Sequence, residues 1–101
     1  LKQWFGRAYQ RAALRELDGS LAAADVSAIL KRAALQVFPR QRVASLTGAE
    51  WYRWLGQFAS GSTEIEKEFV SCLGSSREVA SADLLRFARS CIRGMPPNVN
   101  D

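Results

Sequence analysis

From Val26 to Phe38 the apolar residues Val26, Ile29, Leu30, Ala33, Ala34, Val37 and Phe38 stand at i, i+3, i+4, i+7, i+8, i+11 and i+12. This spacing follows the 3.6-residue turn and sets seven apolar side chains on one stripe of a helix. A strand, whose side chains alternate, could not gather them on one face. A stripe this long must be covered, so its helix is expected at the centre of a core, with Lys31, Arg32 and Gln36 facing outward. Pro39 closes the run, because its ring pushes Phe38 out of the α region. Asp25 is the expected start, where a carboxylate can accept from the unpaired N–H groups of the first turn.

The next boundary is almost as well marked. Arg40 to Leu46 has room for one or two turns with Val43 and Leu46 inward, and Thr47-Gly48-Ala49-Glu50 follows. In this T-x-x-E pattern Thr47 is expected to cap a backbone N–H and Glu50 to reach back, while Leu46 and Trp51 close a hydrophobic staple. Thr47→Ala should then cost about 1 kcal/mol. The helix so begun would bury Trp51, Trp54, Leu55 and Phe58 on one side and stop near Ser60-Gly61-Ser62. Phe38, Pro39, Thr47, Gly48, Glu50, Trp51, Trp54 and Leu55 are therefore the expected fold-defining residues.

The flanking segments add helices to this centre. Leu1 to Leu17 carries Trp4, Phe5, Ala8, Tyr9, Ala12, Ala13 and Leu17 at helical spacing, with Arg7, Arg11 and Arg15 on another face, and Asp18-Gly19-Ser20 supplies turn chemistry. Thr63 to Glu66 repeats the capping box and opens a helix with Ile65, Phe69, Cys72 and Leu73 inward and Gly74 at its end. Ser81 can cap a last helix carrying Leu84, Leu85, Ala88, Cys91 and Ile92, with Arg86, Arg89 and Arg93 pointing away and Gly94, Pro96 and Pro97 at its end. The expected architecture is all-α, a compact bundle of four to five short helices. Residues 1–95 form one domain and 96–101 a disordered tail. A chain of 101 residues can bury roughly two thirds of its unfolded surface, which suffices for one core.

The same residues say little in favour of catalysis. The chain has no histidine, and so lacks the commonest general base and metal ligand. Glu64, Glu66 and Glu68 form the densest acidic group, but they sit in the first turns of a helix, where negative charge offsets the dipole. Cys72 and Cys91 form no CxxC pair; both are expected on apolar helix faces as reduced thiols, with a disulfide between the last two helices as the alternative. No Gly-x-Ser-x-Gly elbow and no glycine-rich phosphate loop occurs. The chain is accordingly expected to be no enzyme and to hold no cofactor and no metal.

A formal charge of +4 would suit an anionic partner. Gln41 to Leu55 has the helix, glycine-containing turn and second helix of a small helix-turn-helix nucleic-acid-binding domain. Its second helix, however, offers Trp51, Tyr52, Arg53 and Trp54 where a reader presents polar groups to base edges. The other reading is a protein-interaction module, with Lys31, Arg32, Arg40 and Arg42 around the Phe38-Pro39 turn as candidate partner-contact residues. No run of about 18 apolar residues occurs, so no segment of this chain is expected to span a bilayer.

Several motifs together resemble a known family. Tyr9-Gln10-Arg11-Ala12-Ala13-Leu14-Arg15-Glu16-Leu17, Leu30-Lys31-Arg32-Ala33-Ala34-Leu35, Phe38-Pro39-Arg40 with Val43-Ala44-Ser45-Leu46-Thr47-Gly48, and Trp51 with Trp54-Leu55 are similar to the cytoplasmic domain of a bacterial family of unknown function. Its members are short single-span inner-membrane proteins encoded beside MoxR-type AAA+ ATPases and Bat-type von Willebrand factor A proteins. The likeness is fullest over residues 7–58. It departs over Thr63 to Ala80, where family members often carry a shorter link containing proline and tyrosine. The resemblance implies an upstream membrane span, a domain on the cytoplasmic side of the inner membrane, and docking to an ATPase or a von Willebrand factor A partner. It implies no catalytic residue.

Overall fold

The computed structural model describes residues 7–18, 22–71 and 79–97. Among them the backbone forms six helices, no strand, and one isolated antiparallel bridge between Ala22 and Val79. The helices are α1 (Ala8–Glu16), α2 (Ala23–Ala34), α3 (Arg40–Ala44), α4 (Gly48–Leu55), α5 (Thr63–Ser71) and α6 (Ala82–Gly94). The all-α expectation holds, and the sixth helix is the single short turn foreseen after Pro39. Expectations placed on Trp4, Phe5, Gly19, Ser20, Cys72, Leu73, Gly74 and residues 98–101 lie outside the described residues.

Helix α2 is the centre, as its stripe requires. Val26, Leu30 and Ala34 are fully buried and Ala23, Ile29 and Ala33 nearly so, with α1, α5 and α6 packed around them. Val37 and Phe38 fall past the helix end, in a closing turn where the Phe38 N–H donates to the Ala34 carbonyl at 2.9 Å, and they are only half-buried.

Three of the four expected caps differ from the sequence reading. Helix α2 begins at Ala23, not Asp25, behind an extended Ala22 that offers no side-chain cap; Asp25 lies within the first turn and meets the helix dipole there. At α4 the backbone of Thr47 is extended as an N-cap should be, yet its side chain caps nothing. The cause is Gly48, whose φ of +54° puts the first helical residue in the left-handed region, so the following N–H groups do not line up on the Thr47 hydroxyl. Helix α5 already includes Thr63, so the cap falls one residue earlier: the Ser62 Oγ accepts from the Ile65 N–H at 3.2 Å. Only α6 is capped as expected, with Ser81 Oγ accepting from the Leu84 N–H at 3.1 Å. The Glu68 carboxylate in turn accepts from the Ser81 N–H at 2.8 Å and from its hydroxyl at 2.5 Å, which ties α5 to the start of α6.

The bundle is closed by contacts from one end of the chain to the other. Gln10 is buried on α1, and its Nε2 donates to the carbonyls of Ile92 at 2.9 Å and Met95 at 2.7 Å. The Arg7 guanidinium donates to the Gln10 Oε1 at 3.0 Å, so both ends of the amide are satisfied. One helix thereby supplies donors to two carbonyls at the end of α6, of which Ile92 also accepts from the Met95 N–H at 3.3 Å. Beside it the Tyr9 hydroxyl donates to the Pro96 carbonyl, so Pro96 is held against α1. Arg89 does not point away from the bundle, as its spacing suggested. It is half-buried, donating to the Leu17 carbonyl at 3.4 Å and lying 3.7 Å from the Asp18 carboxylate.

Candidate functional site

The most distinctive surface is built where α2, the Pro39 turn and α4 meet. Trp51 is buried, and its indole N–H donates to the Ser27 hydroxyl at 3.2 Å, satisfying its one polar atom, which burial would otherwise strand. Trp54 stacks on Trp51 with ring centroids 5.4 Å apart and 15° between planes. Phe38 meets Trp54 edge to face at 4.9 Å, Phe58 meets it edge to face at 5.3 Å, and the two phenylalanines lie 5.8 Å apart. Phe38, Trp54 and Phe58 are all half-buried, so three interlocked rings lie flush with the surface and rest on a buried fourth. Each ring is positioned locally for its own reason. Pro39 turns the chain after Phe38, and α4 places Trp54 three residues from Trp51. The Gly56–Phe58 turn, with the Phe58 N–H donating to the Leu55 carbonyl at 3.0 Å, brings Phe58 back over α4.

The four basic residues expected to contact partners fall into two groups. Lys31 is turned inward: its Nζ donates to the Leu46 carbonyl at 3.1 Å and lies 5.3 Å from the Trp51 ring centroid, a cation–π position. Arg32 pairs with Glu16 of α1 at 3.0 Å. Arg40 and Arg42 are exposed on α3 and have no acidic partner among the described residues. Arg40 follows Phe38 by two residues, so their Cα atoms are no more than about 7 Å apart. Arg42 rises about 3 Å further along the helix.

This part of the chain is basic. Residues 26–63 hold five basic side chains, Lys31, Arg32, Arg40, Arg42 and Arg53, against one acid, Glu50. A second basic stretch, residues 1–15, holds Lys2, Arg7, Arg11 and Arg15 and no acid, and the remaining five bases and nine acids offset it.

Elsewhere the ionisable groups serve the fold. Glu68 is committed to Ser81, and no group of three His, Cys, Asp or Glu side chains that could hold a metal occurs among the described residues. Burial pushes the Cys91 thiol up to about 12; its Sγ donates to the Leu55 carbonyl at 3.6 Å, and it is a free thiol. Burial likewise pushes the Tyr9 hydroxyl up to about 12, against the opposing pull of Arg7. Burial also raises Tyr52, whose hydroxyl donates to the Ser62 carbonyl at 3.2 Å.

Sequence spacing assigned one face of α4 to the core, but the helix is buried on two. Tyr52 is buried as well as Trp51 and Leu55, stacked 5.1 Å from Phe87 and tilted 5.7 Å from Phe69. Phe87 and Met95 are further core residues that the pattern did not single out. Gly61 leaves room for this ring, since a Cβ there would lie 1.8 Å from the Tyr52 hydroxyl oxygen.

A family model described as a domain of unknown function (DUF4381) matches residues 1–89. The chain belongs to that family. No curated protein and no solved structure matches it. The family description carries no activity, and the surface of this DUF4381 domain is the guide to its role.

Among the described residues of this domain no helix is long and apolar enough to cross a membrane. The helix-turn-helix layout corresponds to α3 and α4, where α3 is a five-residue helix and α4 exposes Glu50 and Arg53. A carboxylate in the first turn of the helix that should enter a groove would face the phosphates of a duplex.

Proposed function

We propose that this domain is a non-catalytic protein-interaction module. A span upstream would tether it to the cytoplasmic face of a bacterial inner membrane, where it would dock in an assembly of a MoxR-type AAA+ ATPase and von Willebrand factor A proteins. The observation that carries the interaction reading is the Phe38, Trp54 and Phe58 face, followed in the chain by the exposed Arg40 and Arg42, which have no acidic partner among the described residues. Aromatic and arginine side chains dominate binding energy at protein interfaces, because they offer large rigid contact areas and directional charge. Rings already locked against one another lose little freedom when a partner covers them. The tether and the choice of partners come from the motif resemblance, and tethering would act by raising the local concentration of the domain beside its partners.

The experiment is affinity purification of the full-length protein, in mild detergent, from cells expressing its genomic neighbours at native levels. Recovery of the ATPase or a von Willebrand factor A protein in stoichiometric yield is the expected outcome. Repeated recovery of the protein alone overturns the proposal. The nucleic-acid reading would instead require micromolar affinity for duplex DNA that falls steeply between two salt concentrations. The exposed Glu50 argues against it.

A further inference from the structure

We propose that the face formed by Phe38, Trp54 and Phe58 receives an acidic protein segment carrying one apolar anchor side chain, with the segment's carboxylates held by Arg40 and Arg42. This rests on the interaction reading above and adds the chemistry of the partner. Charge is the first argument. Residues 26–63, which build this face, carry five bases against one acid, so a segment of opposite sign is favoured there.

Availability is the second argument. Lys31 and Arg32 are occupied by the Leu46 carbonyl and by Glu16, whereas Arg40 and Arg42 keep their guanidinium donors free of any acidic partner among the described residues. A guanidinium binds a carboxylate through two parallel N–H donors, which selects Asp or Glu side chains by geometry as well as by charge.

The shape of the aromatic face decides between protein and membrane. Rings that enter a bilayer interface stand out from the protein, as on an amphipathic anchor helix. Here Phe38, Trp54 and Phe58 are half-buried and braced by one another. The large hydrophobic side chains that do stand out among the described residues are Val70 and Val79, on other elements. A flush, rigid aromatic surface suits an apolar side chain laid against it from another protein.

The test uses the 101-residue chain and labelled twelve-residue peptides. One peptide alternates Glu and Asp around a central Leu, a second has Ser in place of Leu, and a third has Lys in place of every acid. Phosphatidylglycerol vesicles and a duplex DNA are run in parallel. The anchored acidic peptide is expected to bind at micromolar Kd in low salt, roughly tenfold more weakly at 0.3 M salt. It should bind roughly tenfold more weakly to Arg40→Glu/Arg42→Glu and to Phe58→Ala, and the Ser peptide should bind several-fold more weakly than the Leu peptide. Because Arg40 and Arg42 are exposed, the double variant should keep its thermal melt, which separates lost binding from lost folding. Equal affinity for the acidic and lysine peptides, affinity unchanged in the double variant, or preferential binding of vesicles or DNA each overturns the inference. If the full-length double variant still recovers the wild-type partners, this inference fails while the interaction reading stands; if the wild type recovers none, that reading itself fails.

Discussion

Replacing Gln10 by Met is the most direct test of how this bundle closes. Met keeps the length and approximate volume of the side chain but removes both polar atoms. The Ile92 carbonyl still receives the Met95 N–H at 3.3 Å, while the Met95 carbonyl loses its 2.7 Å bond to Gln10 inside a buried site. Two hydrogen bonds at about 1 kcal/mol each, plus part of the cost of stranding a buried carbonyl, come to roughly 2–4 kcal/mol. For a domain of this size that is a fall in Tm on the order of 10–20 °C. Urea unfolding followed by tryptophan fluorescence would measure it, and the midpoint should move with the m-value unchanged, since the surface exposed on unfolding is the same. Gln10→Glu should be at least as damaging, because a carboxylate would face two carbonyl oxygens. Arg7→Ala, which loses one half-exposed bond, should cost under about 1 kcal/mol. A shift below about 0.5 kcal/mol for Gln10→Met would refute the view that the first helix holds the end of the last one through this amide.

Three further outcomes follow from the caps, the aromatic core and the buried acids. Thr47→Ala should change stability by less than about 0.5 kcal/mol because its hydroxyl caps nothing, whereas Ser81→Ala should cost about 1–2 kcal/mol; chemical denaturation of the pair compares them directly. Gly61→Ala should destabilise by about 1–3 kcal/mol, since the new methyl group would displace a Tyr52 ring held between Phe69 and Phe87; loss of the near-ultraviolet circular dichroism of the aromatic cluster would accompany it. Cys91 and Tyr9 ionise at about 12 in the fold but near 9.0 and 10.0 in the unfolded chain, so the stability they contribute is complete below pH 9 and is lost as pH rises toward 12. A pH series of urea midpoints should therefore be flat on this account from pH 7 to 8.5 and fall above it. In a Cys72→Ser background, Cys91 should resist a thiol reagent at pH 8 until urea is added.

What could be anticipated from residues and what could not divides along a physical line. The Val26 to Ala34 part of the stripe and the Ser81 cap are local: each depends on periodicity or on a side chain reaching three residues ahead, whereas the helix ends at Ala34, before the stop expected at Pro39. The capping failure at Thr47 was also local in origin. The left-handed φ of Gly48, which defeats the box, is only one of the conformations a glycine can take, so the pattern T-x-x-E could not choose it.

The second buried face of α4 required its neighbours, because Tyr52 is inside only when Phe69 and Phe87 arrive from α5 and α6. At the candidate site, Phe38, Pro39, Trp54, Arg40 and Arg42 could be picked out along the chain. Their division into a rigid aromatic face, two open guanidinium groups and two occupied cations could not, since Glu16 and the Leu46 carbonyl come from distant points on the backbone. Local propensity and hydrophobic period thus specified the helices and the one that had to be central. The partners of Gln10, Tyr52, Lys31 and Arg32 were settled only by packing, because a hydrogen bond or ring contact spanning tens of residues exists only once the helices have docked.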